Sequence, residues 1–123
     1  VLPLLEGRVS RIRGKVFAEC NYHVAYEPMR AVRTSRYKLI RRFGPQQGRV
    51  AENCDDSPGK RIFTEAGWFD QIVPSVELYD LLLDPLECSN AAGRPSLRAT
   101  QEELEKCLEE WMQETGDPLA GEK

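Results

Sequence analysis

Histidine occurs once in this 123-residue chain, at His23. A single imidazole excludes a histidine-based metal cluster and any catalytic arrangement that needs a second one. The four cysteines, Cys20, Cys54, Cys88 and Cys107, form no Cys-x-x-Cys pair, so zinc binding is not expected from their spacing. Whether any two of them form a disulfide is left open. No stretch approaches the roughly 18 apolar residues of a membrane span. The opening Val1-Leu-Pro-Leu-Leu5 is too short for a signal peptide and lacks its basic flank. Asp55-Asp56, beside Ser57 and Gly59, has neither the downstream ligands of a calcium loop nor the Gly-Lys-Ser/Thr ending of a phosphate loop. It reads as a solvated turn. Internal repeats and low-complexity tracts are also lacking.

What is present suffices for one domain over 1–123. At 14.0 kDa, 41% apolar and 30% charged, the chain can bury a modest core and has a globular rather than a disordered composition. It begins at Val1 rather than Met, as a piece of a longer protein would. The net charge of -3 conceals an asymmetry: residues 1–50 carry eleven Lys/Arg against three Asp/Glu, and residues 51–123 carry six against seventeen. Such a split fits an anion-binding face, or two halves that pair with each other across one fold.

The pattern along the chain predicts an α+β fold, a small antiparallel sheet of about four strands packed against a C-terminal amphipathic helix. Lys15-Val-Phe-Ala-Glu-Cys20 is a strand candidate, followed by an irregular Asn21–Pro28 segment in which Pro28 disfavours helix at Glu27. Met29–Thr34 and Tyr37–Phe43 form a basic hairpin joined through Ser35-Arg36. Their apolar residues are spread over both faces. Residues 44–67, with Gly44-Pro45, Gln46-Gln-Gly48 and Ser57-Pro-Gly59, suggest a long polar connection. Val76-Glu-Leu-Tyr-Asp80 alternates as a strand and Asp84-Pro85 turns the chain after it. Leu104, Cys107, Leu108 and Trp111 then recur at helical spacing, with Met112 at the edge of the stripe. Thr100 and Glu103 suggest a capping box at its start, and Gly116 with Pro118 a stop.

Few residues offer chemistry. His23 lies between Tyr22 and Tyr26, near Glu19 and Glu27, where it could contact a substrate or act as a general acid. Glu19 and Glu27 form a glycosidase-type carboxylate pair only if the fold sets their separation. The basic hairpin (Arg30, Arg33, Arg36, Lys38, Arg41, Arg42) with Tyr37 and Phe43 suggests a free-standing polyanion-binding module. It carries no recognised RNA-binding signature, and nucleic acid is not the expected partner. Arginine also suits bidentate recognition of sulfate oxygens.

Taken together, Leu2-Pro-Leu-Leu-Glu-Gly7, Val16-Phe-Ala-Glu19, Tyr22-His23, Tyr26-Glu-Pro-Met-Arg-Ala-Val-Arg-Thr34 and Arg36–Phe43 resemble the C-terminal domain of the sulfatase family. Glu77-Leu-Tyr-Asp-Leu81, Asp84-Pro-Leu-Glu87, Asn90 and the closing Leu104–Leu119 continue the likeness, which covers nearly the whole chain apart from 44–70. The Pro28–Thr34 run is similar to the branch containing N-sulfoglucosamine sulfohydrolase, or sulfamidase. The resemblance implies that the catalytic part is a separate, larger N-terminal domain. That domain would carry a formylglycine, made from the Cys or Ser of a C/S-x-P/A-x-R motif, and a calcium ion. No such motif occurs here: Cys20-Asn-Tyr-His-Val24, Cys54-Asp-Asp-Ser-Pro58 and Ser57-Pro-Gly-Lys-Arg61 fail at the decisive positions. The chain alone is expected to have no catalytic residue, metal ligand or cofactor. The resemblance further implies a rim loop over residues 19–30, with His23, Glu19 and Arg30 as substrate-binding residues for a sulfated carbohydrate. The missing domain is the expected partner, with Trp68 and Phe69 as candidates for the docking surface or, equally, for ordinary core packing. Exposing that surface would let the isolated chain self-associate. Relatives are usually exported, so a periplasmic, secreted or lysosomal location is implied.

Overall fold

Alternation in the basic hairpin fixes the centre of the fold. In the computed structural model, which describes residues 1–44 and 48–122, Leu39 turns into the core. Its neighbours Lys38 and Ile40 point to the other face of the sheet, as the period of two requires. The elements in chain order are a short helix α1 (Leu2–Leu5), strands β1 (Val16–Tyr22), β2 (Tyr26–Arg33) and β3 (Tyr37–Arg42), helix α2 (Pro58–Glu65), strand β4 (Val76–Asp80) and helix α3 (Arg98–Thr115). The strands form one antiparallel sheet in the order β1-β2-β3-β4. The expected α+β class, four-stranded sheet and C-terminal helix are all present.

One face of the sheet is closed by α3. Val32, Leu39 and Leu78 from the strands, with Phe43 just after β3, meet Leu104, Leu108 and Met112 from the helix, with Leu119 behind them. Burying each of these large side chains contributes about 1.5–3 kcal/mol, so the stripe along α3 is the main source of its docking. Phe17 and Trp111 stack in parallel at 5.0 Å at the edge of this core. Among the described residues, the opposite face has no counterpart to α3. Val16, Ala18, Cys20, Met29, Ala31 and Ile40 line a shallow apolar groove of about 290 Å³ there.

Three local expectations are corrected. The Thr100/Glu103 capping box does not form. The chain already winds through a 3₁₀ turn at Pro95–Leu97, and α3 begins at Arg98 with no side-chain cap. Thr100 is thus inside the first turn, and Glu103 reaches Lys15 at 3.7 Å instead. The expected polar connection over 44–67 contains α2. Ser57 caps it by accepting the Lys60 N–H at 3.1 Å, Pro58 supplies the pre-set φ of a first helical residue, and Gly67 at φ +68° ends the segment. The Gln46-Gln47 part of the expected turn lies outside the described residues. Residues 21–28 are far less irregular than expected, because β1 runs on to Tyr22 and β2 starts at Tyr26. Ser35-Arg36 is a two-residue connection as read: Thr34 N–H donates to the Tyr37 carbonyl at 2.8 Å, and Thr34 Oγ1 accepts the Arg36 and Tyr37 amides.

Candidate functional site

The β1–β2 hairpin ends in the three residues His23, Val24 and Ala25, closed by the Tyr22–Tyr26 pair. The register shifts between Cys20 and Tyr22, a bulge that re-aims the end of the strand. The two tyrosine rings lie 4.9 Å apart. Tyr22, Val24 and Tyr26 are 68%, 67% and 45% exposed, and His23 is exposed beside them. An exposed group of aromatic and apolar side chains around one imidazole is suited to contact a ligand that has both apolar faces and polar edges.

The other two residues expected at this site are placed differently. Glu19 sits opposite Arg30 in the β1–β2 register, on the face that carries α3, with its carboxylate 3.9 Å from Arg30 Nε and more than half exposed. Arg30 itself is 1% exposed. Its Nε and Nη2 donate to the two carboxylate oxygens of Asp117 at 2.5 and 3.1 Å. Its Nη1 donates to Asn21 Oδ1 and to the carbonyls of Cys20 and Met29. The guanidinium therefore has no surface to offer a ligand, and it holds the strand that carries the tip. Asp117 reaches it because Gly116, at φ 67°, closes α3 in a Schellman turn, with Asp117 N–H on the Met112 carbonyl at 2.8 Å. Beside the arginine, the Asp117 carboxyl is held below its usual range, chiefly by the Arg30 hydrogen bonds.

Glu27 lies on the opposite face of the sheet from Glu19, since it shares the parity of Met29 rather than Arg30. The two cannot act as a carboxylate pair across one substrate. Glu27 accepts from Arg42 Nη1 at 3.1 Å, and Arg42 also bonds Glu77. Glu77 in turn accepts the Tyr79 hydroxyl at 2.7 Å. Burial and that bond push the Tyr79 phenol well up.

Most cations of the basic hairpin are paired. Arg30 meets Asp117, Arg36 meets Asp80, Lys38 meets Glu87, Arg41 meets Glu109, and Arg42 meets Glu27 and Glu77. Of the basic hairpin, only Arg33 lacks an ion pair among the described residues. A face so neutralised does not support the free-standing polyanion-binding module. Among the described residues, no three His, Cys, Asp or Glu side chains gather closely enough to hold a metal ion. All four cysteines are free thiols, and no described helix is long and apolar enough to cross a membrane. Trp68 is 37% exposed and packs within its own segment, against Phe63 and beneath the Arg49 guanidinium.

One residue at the tip was not legible in the sequence. Asn53 Oδ1 accepts the N–H groups of Val24 at 2.9 Å and Ala25 at 2.8 Å. An asparagine in a turn-rich segment signals a side chain able to bond backbone. Nothing local says that the backbone is 28 residues away.

No family model matches the chain. An ulvan-active sulfatase of Formosa agariphila is 34% identical over 124 residues, covering 97% of this chain. The chain is homologous to the C-terminal domain of sulfatases. It spans about a quarter of that relative's length, 25%. Two solved structures share the fold of this sulfatase domain. A 2-O GAG sulfatase has a TM-score of 0.66 at 23% identity, with the whole of this chain matched to 21% of the other. A protein solved in complex with its substrate D-glucosamine-2-N,6-O-disulfate has a TM-score of 0.61 at 22% identity, matching 98% of this chain and 20% of the other. In each case the match is to a part of the relative, not the whole.

Proposed function

We propose that the intact protein is a sulfatase that hydrolyses a sulfate ester or sulfamate of a sulfated sugar, and that this chain is its non-catalytic C-terminal domain. The observation that carries this reading is the 34% identity to a sulfatase along 97% of the chain. The chain's own task would be to lend the β1–β2 tip to the rim of the substrate pocket. His23 is the proposed contact, as an imidazole able to donate to sulfate or hydroxyl oxygens. Glu19 sits at the same end of β1, able to accept from sugar hydroxyls. Arg30 acts from beneath, by fixing the strand.

The formylglycine and calcium that the resemblance implies would belong to the remainder of the protein, since this chain has neither the motif nor a ligand cluster among its described residues. The open sheet face is the proposed seat of that remainder. Its groove of Val16, Ala18, Cys20, Met29, Ala31 and Ile40 is apolar, and three quarters of the matched relative lies outside the shared stretch. The groove replaces Trp68 as the preferred docking candidate, because Trp68 already packs against Phe63.

Sulfate release from ulvan oligosaccharides and from D-glucosamine-2-N,6-O-disulfate by the intact protein tests the reading. Turnover of a sulfated saccharide is expected, with His23→Ala raising KM and this chain alone inactive. A parent reading frame without a C/S-x-P/A-x-R motif, or an intact protein inert toward sulfated saccharides, overturns it.

A further inference from the structure

The tip of the β1–β2 hairpin is not held by its own residues. Its two successive amides, Val24 and Ala25, both donate to Asn53 Oδ1. The same side chain donates through Nδ2 to Glu27 Oε2 at 3.0 Å. The amide thus uses its acceptor on two backbone donors and its donor on a carboxylate, an arrangement that only one orientation of the group satisfies. Glu27 is in turn fixed by Arg42 at 3.1 Å. Asn53 has an anchor of its own, since it closes a 3₁₀ turn with its N–H on the carbonyl of Val50, a residue 6% exposed. A rigid strand pair on one side and a buried valine on the other leave the amide little freedom.

We infer that Asn53 is the positioning residue of the tip: it fixes the backbone that presents His23 and so tunes which sulfated saccharide the rim accepts. The inference rests on the proposed sulfatase function. It adds that the segment between β3 and β4 governs selectivity without touching substrate. The physical reason is the small size of the tip. Three residues between paired tyrosines cannot satisfy their own inward amides, so an outside acceptor decides their conformation.

The test uses the intact protein carrying this chain, with ulvan oligosaccharides and D-glucosamine-2-N,6-O-disulfate as the two probes. Asn53→Ala is expected to speed hydrogen exchange at the Val24 and Ala25 amides. It is also expected to raise KM for the preferred probe about tenfold, the equivalent of one to two ordinary hydrogen bonds, with kcat nearly unchanged. Asn53→Asp keeps both backbone bonds but sets two carboxylates together. The pair Asn53→Asp with Glu27→Gln reverses the donor and acceptor between the side chains, and is expected to restore slow exchange and low KM. Rescue by that reversal is not expected of a residue that merely fills space.

The inference is overturned if exchange at Val24 and Ala25 is unchanged in Asn53→Ala. It is equally overturned if exchange quickens while KM for both probes stays put and His23→Ala still raises it. A wild-type protein inert on both probes overturns the sulfatase reading, and with it the selectivity role. The exchange measurement then reports separately whether Asn53 holds the tip.

Discussion

Arg30 and Asp117, 87 residues apart, form a two-pronged ion pair at 2.5 and 3.1 Å. Both side chains are almost wholly buried, at 1% and 2% exposure. The pair ties the strand bearing the β1–β2 tip to the turn that follows α3, so the end of the chain braces the candidate site.

Removing one partner leaves the other charge buried and unpaired. Arg30→Ala is predicted to destabilise the chain by about 3–5 kcal/mol, whereas Arg30→Met combined with Asp117→Leu recovers most of that loss. Recovery stops short of complete, because Asp117 Oδ1 also accepts the Leu119 N–H at 3.0 Å. Urea unfolding of the two variants measures both effects.

Acid sensitivity follows from the same pair. The Asp117 and Asp80 carboxyls are both held below their ordinary range, first of all by hydrogen bonds from Arg30 and Arg36. The folded chain therefore binds fewer protons than the unfolded chain near pH 4, the ordinary carboxylate value being about 3.9. Their stabilisation is present in full above that value and is lost as the pH falls through the lowered folded values. Asp117→Asn is predicted to flatten the pH dependence of stability below about pH 4, and Asp80→Asn to do so less, since Arg36 is half exposed. Thermal unfolding from pH 2 to pH 6 checks the difference.

Asn90 locks the outer edge of β4. Its Oδ1 accepts the Leu78 and Ala92 amides at 2.9 Å each, and its Nδ2 donates to the Val76 carbonyl at 3.0 Å. Asn90→Ala leaves the Leu78 N–H without its acceptor and is predicted to cost about 1–3 kcal/mol. Faster hydrogen exchange at Leu78, with β1 unaffected, is the expected signature.

The open sheet face separates folding from assembly. Ala18 is exposed on the edge strand β1, so Ala18→Lys is predicted to change the stability of this chain by no more than about 0.5 kcal/mol. In the intact protein the same substitution places a charge in the groove and is predicted to lower thermal stability by several degrees. Parallel melting curves of chain and intact protein decide it; equal shifts in both would remove the groove as the docking seat.

The sequence by itself determined the elements whose pattern is local and long enough to read. The stripe Leu104, Cys107, Leu108, Trp111 dictated α3 and the alternation in 76–80 a strand, because burial on one face imposes a fixed period, while the β-branched and aromatic content of 37–43 marked another. The ordered run of short motifs pointed to a sulfatase domain. Local signals failed where two of them competed. Ser57-Pro58 serves a turn or a helix start equally well, and the Pro95 turn took the start of α3 away from Thr100. Only the tertiary structure decided which polar groups meet. Arg30 reads as a surface cation until Asp117 arrives from the far end of the chain. The two halves of opposite charge read as an anion-binding face until the strands bring most of the hairpin's cations to carboxylates. Asn53 carries no mark of its part until the fold sets its amide against Val24 and Ala25. Periodicity is a property of neighbours along the chain. Pairing between distant residues exists only once the sheet and helix have closed.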